Sequence, residues 1–252
     1  MRLLWFACFA ILALTVQSAP NKREIIPRLV QKTFSDRKDI SELLKKALEK
    51  FKILMVKGDP QLGLPVMDPY VMDHREIELN ESSLNGQASV DNMSVIGMST
   101  FQIQSVVAND EPLMVNFDLL IPETKVLADH YKFHAMIGEK FDLFGEGFFN
   151  MTGINMKLVG EADGQVDADQ HLQVTKLTLF ITAEQILSAL TGLMNDDEEC
   201  KLANELISEF GPGILEQYGG QLGNFFGEIV RNIINTKIAG LTVDEIIDMI
   251  NS

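Results

Sequence analysis

The residue types able to do chemistry are few in this chain. His130 and His134 stand four apart, a spacing that on a helix brings two imidazoles to one face and can hold zinc. Here the flanking residues alternate. Tyr131, Phe133, Ala135 and Ile137 are apolar, while His130, Lys132 and His134 are polar. That is the period of a strand, on which the two histidines stand roughly 13 Å apart, too far to share one ion. A metal site is therefore not expected, and His74 and His171 each stand alone, far in sequence from any other histidine. Gly97-Met98-Ser99-Thr100-Phe101 approaches a nucleophile elbow but lacks its final glycine. Cys200 follows Asp196 to Glu199, and neighbouring carboxylates raise a thiol pKa, the wrong direction for attack. Gly145-Glu146-Gly147 lacks the third glycine of a dinucleotide loop. Gly219-Gly220-Gln221-Leu222-Gly223 has neither the lysine nor the hydroxyl of a phosphate loop. Asp163, Asp167 and Asp169 miss the alternation of a calcium loop, and a hairpin turn accounts for them. Neither a catalytic constellation nor a cofactor motif emerges, and an enzyme is not expected.

The elements around these residues point instead to binding. The chain has 252 residues and a net charge of −15. Arg2 precedes the uncharged run Leu3 to Val16, and Gln17-Ser18-Ala19 supplies small residues for cleavage, so residues 1–18 read as an export signal. The run is too short to span a bilayer, and no second one follows. Removal of Arg2 takes the charge to −16, which disfavours nucleic acid and anionic membrane surfaces as partners. The expectation is a secreted extracellular protein with no integral membrane association. Of the two cysteines, Cys8 leaves with the signal and Cys200 remains. No intrachain disulfide can form in the mature chain, so its fold must rest on its core. Asn80, Asn92 and Asn150 begin sequons and are candidate glycosylation sites.

Residues 19–34 read as a loose arm and 35–252 as one domain. Ser35 or Asp36 can cap a helix whose stripe is Ile40, Leu43, Leu44, Ala47, Phe51, Leu54 and Met55, ended by Gly58 and Asp59-Pro60. From about 74 to 181 the period is two: Phe101 to Val107, Leu113 to Ile121 and Tyr131 to Ile137, then Ile154 to Leu158 and Leu177 to Ile181. Turns are expected at 108–112, at Gly145-Glu146-Gly147 and at Asp163-Gly164. Helices follow: a short one over Ala183–Met194, another from Asn195–Asp197 carrying the stripe Cys200, Ala203, Ile207, Phe210 and Ile214, and one restarted by Gly211-Pro212-Gly213 and running to about Thr236. A last helix covers Val243–Ile250. This is an α+β chain, a long antiparallel meander with one apolar face and a C-terminal helix to cover it. Gly220, Gly223 and Gly227 form a smooth stripe on that helix, so either sheet backbone or a ligand comes close there.

Three segments resemble the insect takeout and juvenile-hormone-binding family. Gly58-Asp59-Pro60-Gln61-Leu62-Gly63-Leu64-Pro65-Val66-Met67-Asp68-Pro69 is similar to its "LGLPPLDP" segment. Gly138 to Asn150 resembles its central strand pair, and Leu193-Met194-Asn195 through Ile238 its "NLF" segment and terminal helix. Mite group 7 allergens look related in layout. The resemblance implies a long helix wrapped by a highly curved antiparallel sheet, like one half of the bactericidal permeability-increasing protein. It also implies a small hydrophobic ligand in a tunnel between sheet and helix. The family's N-terminal disulfide cannot form in this mature chain. Strand parity then makes Phe101, Val115, Phe117, Leu119, Phe133, Leu177 and Leu179 candidate lining residues, with Phe141, Gly223, Phe225 and Phe226 beside them. The alternative is a lipid- or bacterial-surface-binding protein acting through the lysines of the Lys45–Lys57 helix.

Overall fold

The computed structural model describes residues 40–59, 65–81, 84–110, 112–137 and 141–251. The expected signal, the arm, and the Ser35 or Asp36 cap lie outside them. Helix α1 (Ile40–Lys57) is followed by β1 (Tyr70–Glu81), β2 (Leu84–Ile96), a 3-10 turn (Met98–Thr100), β3 (Gln102–Asp110), β4 (Leu113–Ile137), β5 (Phe141–Val166) and β6 (Leu172–Ser188). Helices α2 (Asp197–Ile238) and α3 (Val243–Asn251) close the chain. The fold is α+β. One six-stranded antiparallel sheet has the order β1-β2-β4-β5-β6, with β3 also paired to β4. At 25 and 26 residues, β4 and β5 are several times a typical strand. Strands this long cannot stay flat under the right-handed twist, and the sheet curves.

α1 ends as its sequence dictates. Gly58 has φ 65°, and its N–H reaches the Leu54 carbonyl at 2.7 Å. Asp196 caps α2 by accepting from the N–H groups of Glu198 and Glu199 at 2.9 Å. Thr242 and Glu245 cap α3 reciprocally at 2.8 and 3.3 Å.

Several expectations are corrected. Ala183–Met194 is not a helix. Residues 181–188 continue β6 because β5 is long enough to pair with them, Ala183 opposite Met156 and Ser188 opposite Met151. Gly145-Glu146-Gly147 is no turn but lies inside β5, where Gly145 and Gly147 admit the crossing chain at Thr191, Gly192 and Leu193. Asp163-Gly164 is no turn but lies inside β5, opposite a bulge at Thr175 of β6, and the turn comes later, where Asp167 bonds the N–H groups of Asp169 and His171. Gly211-Pro212-Gly213 does not break the helix. α2 runs through it for 42 residues. An interior proline costs about 3 kcal/mol. The turns on either side offset it by burying Ile207 and Leu215, while Gly211 seats against Ile186. Phe210, assigned to the buried stripe, is 48% exposed, while Cys200 and Ile207 are buried.

Two hydrophobic clusters lie on the sheet. One gathers Ala88, Tyr131, Phe133, Ala135, Ala183 and Ile186 under Cys200, Ile207 and Leu215 of α2. The other places Phe101 and Leu119 under Met55 of α1, with Met67 and Met98 alongside. The C-terminal helix was expected to be the cover, but α1 covers the second cluster.

Candidate functional site

α2 runs antiparallel along β6, the last strand of the sheet. An edge strand exposes unpaired backbone groups, and α2 satisfies them with its own side chains. Asn204 Nδ2 donates to the Leu190 carbonyl at 2.8 Å, and its Oδ1 accepts from Leu190 N–H and Ser188 Oγ. Ser208 Oγ accepts from Ser188 N–H at 3.0 Å. Arg231 Nη1 reaches the Thr175 carbonyl at 3.1 Å. Asn235 pairs with both backbone groups of Val174, at 2.9 and 2.8 Å. Between these polar ends the helix carries Gly219, Gly223 and Gly227. A Cβ at any of them would collide with the backbone of Ile181, Leu179 or Leu177. The stripe therefore lets helix and strand backbones meet. Gly223 stands against the Leu179 carbonyl, which leaves no room for a ligand between them, and the assignment of Gly223 to the ligand lining is corrected on that ground. Gly219, not Gly220, is the third member, since Gly220 makes ordinary contact with the Phe180 ring.

The other expected lining residues divide between the clusters. Phe133 lies with α2, and Phe101, Phe117 and Leu119 with α1. Leu179 is buried near Gly227, and Val115 and Leu177 are half-buried. Phe226 is 36% exposed. The side chains of Phe141 and Phe225 lie outside the description. Residues not among the expected lining complete the face: Tyr131, whose hydroxyl donates to the Thr191 carbonyl at 2.9 Å, and six methionines. Met55, Met67 and Met98 belong to one cluster, Met151, Met156 and Met194 to the other. Methionine fills irregular space and yields to shape. The twelve methionines in the composition were the available signal.

Two polar residues are buried among those described, Asp68 and Thr124. Asp68 clips the segment after α1 to the β2–β3 connection. Its carboxylate accepts from Gly97 N–H at 2.9 Å, Ser99 N–H at 2.7 Å and Ser99 Oγ at 2.5 Å. Burial alone would raise its pKa, but the Ser99 hydroxyl and the two N–H donors outweigh it and hold the carboxyl below its usual range. Gly97 needs its glycine, with φ 99° and the Glu123 carbonyl where a Cβ would stand. Ser99, in the would-be nucleophile motif, is thus a structural donor.

The histidines lie on the outer face, each against carboxylates. His74 Nδ1 meets Asp91 at 2.5 Å. His130 bridges Asp91 at 3.3 Å and Glu146 at 3.0 Å, and His134 meets Asp142 at 2.7 Å. His171 lies 3.3 Å from Asp167. The bond to Asp91 raises the His74 pKa. Among the described residues no group of three His, Cys, Asp or Glu is arranged to hold a metal ion. Cys200 is buried, its Sγ on the Leu190 carbonyl at 3.3 Å. It borders an open groove of about 950 Å3 between the end of β6 and the start of α2, which none of the expected lining residues reaches. Three of the five lysines of α1 are engaged within the chain: Lys45 with Glu42, Lys52 with Glu49, Lys50 with the Met249 carbonyl. Among the described residues no helix is long and apolar enough to cross a membrane. Asn92 and Asn150 are exposed, Asn92 at φ 50° with its amide on Asp129. The Asn80 side chain lies outside the description.

A family model described as haemolymph juvenile hormone binding protein matches residues 8–248. Among solved structures, Epiphyas postvittana Takeout 1 is similar with a TM-score of 0.62 at 19% identity, over 82% of this chain and 95% of that one. This likeness bears on the fold. Lipopolysaccharide binding protein aligns with a TM-score of 0.40 at 12% identity, over 78% of this chain and 39% of that one. No curated protein matches the chain.

Proposed function

The chain belongs to the haemolymph juvenile hormone binding protein family, and from that premise we propose that it is a secreted, glycosylated carrier of a small hydrophobic molecule. The ligand lies on the apolar face of the sheet beneath α1 and α2, and Phe101, Val115, Phe117, Leu119, Phe133, Leu177 and Leu179 contribute its walls. The observation that carries this reading is the make-up of the face. Aromatic and aliphatic side chains of β3, β4 and β6 meet six methionines there, and ligand sites are characteristically apolar with few polar groups. The chemistry-bearing motifs weighed from sequence have structural employment: Ser99 holds Asp68, Cys200 is buried, and the histidines sit in carboxylate pairs outside.

The reading is tested by expressing the full chain in insect cells. The protein is expected in the medium with its new N-terminus after Ser18 or Ala19. A glycosidase that removes N-linked sugars should lower its mass, by way of Asn80, Asn92 or Asn150. The neutral dye 1-N-phenylnaphthylamine should gain fluorescence on binding and lose it when a lipid displaces it. Retention in the cell, or a dye that neither binds nor is displaced, refutes the reading.

A further inference from the structure

The two buried polar residues are not equivalent. Every oxygen of Asp68 is occupied, by Gly97 and Ser99. Thr124 is 6% exposed, and its Oγ1 has no hydrogen-bond partner in the structure. Buried hydroxyls ordinarily have partners, so an exception asks for one. Its position says what kind. Thr124 stands on β4 opposite Gly153 of β5, and the Met156 side chain lies over that glycine, its sulfur 2.6 Å from where a Cβ would be. Towards the start of β4 comes Leu119 of the α1 cluster. Towards its end come Tyr131 and Phe133 of the α2 cluster. The hydroxyl thus sits at the seam of the two apolar clusters, where a guest spanning both must pass.

The surroundings restrict the guest. The charged neighbours Glu123 and Lys125 are on the exposed side and pair with each other at 2.9 Å. Among the described residues no buried cation accompanies Thr124, and a carboxylate placed beside it would lose its water without gaining a counter-charge. A threonine hydroxyl can both donate and accept, which suits a neutral oxygen.

We infer that Thr124 Oγ1 is the hydrogen-bonding anchor for a neutral oxygen function, an ester, ketone or alcohol, within an otherwise apolar ligand. It is a specificity residue that favours oxygenated neutral lipids over hydrocarbons and fatty-acid anions. The inference rests on the carrier reading above, and the experiment separates the two. Methyl palmitate, palmitate and hexadecane each displace 1-N-phenylnaphthylamine from the wild-type chain, Thr124→Val and Thr124→Ser. Valine keeps the shape and removes the hydroxyl. The wild type is expected to prefer methyl palmitate. Thr124→Val should weaken methyl palmitate about three- to tenfold, the worth of one neutral hydrogen bond, and leave hexadecane within about twofold. Thr124→Ser should keep the wild-type preference. Without ligand, Thr124→Val should melt no lower than the wild type, because a methyl replaces an unsatisfied hydroxyl. A Thr124→Val protein that binds methyl palmitate as tightly as the wild type, or loses both neutral probes equally, overturns the anchor and leaves the carrier standing. A wild-type chain that binds none of the three overturns both.

Discussion

The contact between α2 and β6 can be broken at one atom. Gly223→Ala adds a Cβ that overlaps the Leu179 carbonyl oxygen and lies 3.0 Å from the Phe180 nitrogen. These are backbone atoms of a strand held to β5 on its other side, Leu179 opposite Gly160, so no side chain can swing away. The helix must move. In an open helix the same substitution would gain about 1 kcal/mol of propensity. Here overpacking costs about 1–3 kcal/mol in ordinary cores and tends to the upper end against backbone. The net expectation is a loss of about 1–2 kcal/mol, or roughly 2–8 °C in Tm for a domain of this size. Gly213→Ala is the internal control. Nothing lies within 4 Å of its added Cβ, so it should gain up to about 1 kcal/mol. Thermal unfolding followed by circular dichroism measures both. If Gly223→Ala melts at or above the wild type, the backbone contact is absent, and the space beside Leu179 is open after all.

The Asp68 clip should respond to substitution and to acid. Asp68→Asn presents an amide donor to N–H groups that need an acceptor, and a loss of about 2 kcal/mol in urea unfolding is expected. Because the folded-state pKa of Asp68 is depressed, its stabilisation is present above the unfolded value and is lost as pH falls through the folded one. Wild type and variant should therefore converge between about pH 4 and pH 2, and a constant gap across that range would contradict the assignment. The pKa of His74 is raised, so its contribution is full below the unfolded value near 6.5 and disappears as pH rises through the folded one. Wild type should lose Tm relative to His74→Ala from pH 6 to pH 8.5, and parallel curves would argue against the Asp91 bond. Asn235→Ala leaves both backbone groups of Val174 without their partner. A cost of about 1–3 kcal/mol is expected, with faster hydrogen exchange at the Val174 amide. Unchanged exchange there would show that α2 does not seal the edge of β6.

The alternation in residues 101–137 and 154–181 made the antiparallel sheet legible, and Gly58 and the Asn195–Asp197 run marked helix ends where the structure has them. The glycine stripe announced a close approach, with one member misplaced by a residue. What failed to show were events that reset local periods. On β4 the inward face passes from Leu119 to Thr124 and Ala128, a change of parity, where Pro122 stands across from Asn155 of β5 at φ 47°. It changes again at the bulge between Ala128 and Tyr131. Parity counted from Leu119 puts Thr124 outside, so alternation alone hides it. Ala183 to Ser188 have helical composition, yet the length of β5 decides their conformation, and strand length is not written in any short window. The second cover, α1, was visible as an amphipathic helix, but nothing in its residues named Phe101 and Leu119 as its partners.

The central claim, a hydrophobic guest held on the face between the two clusters, is most directly tested by native mass spectrometry of the protein secreted from insect cells. The account predicts a mass above that of the deglycosylated polypeptide, an excess released by organic solvent and identified in the extract as a neutral, oxygen-bearing lipid in a one-to-one ratio. A deglycosylated protein at its bare polypeptide mass, with no lipid in the extract and no uptake after incubation with methyl palmitate, would contradict it.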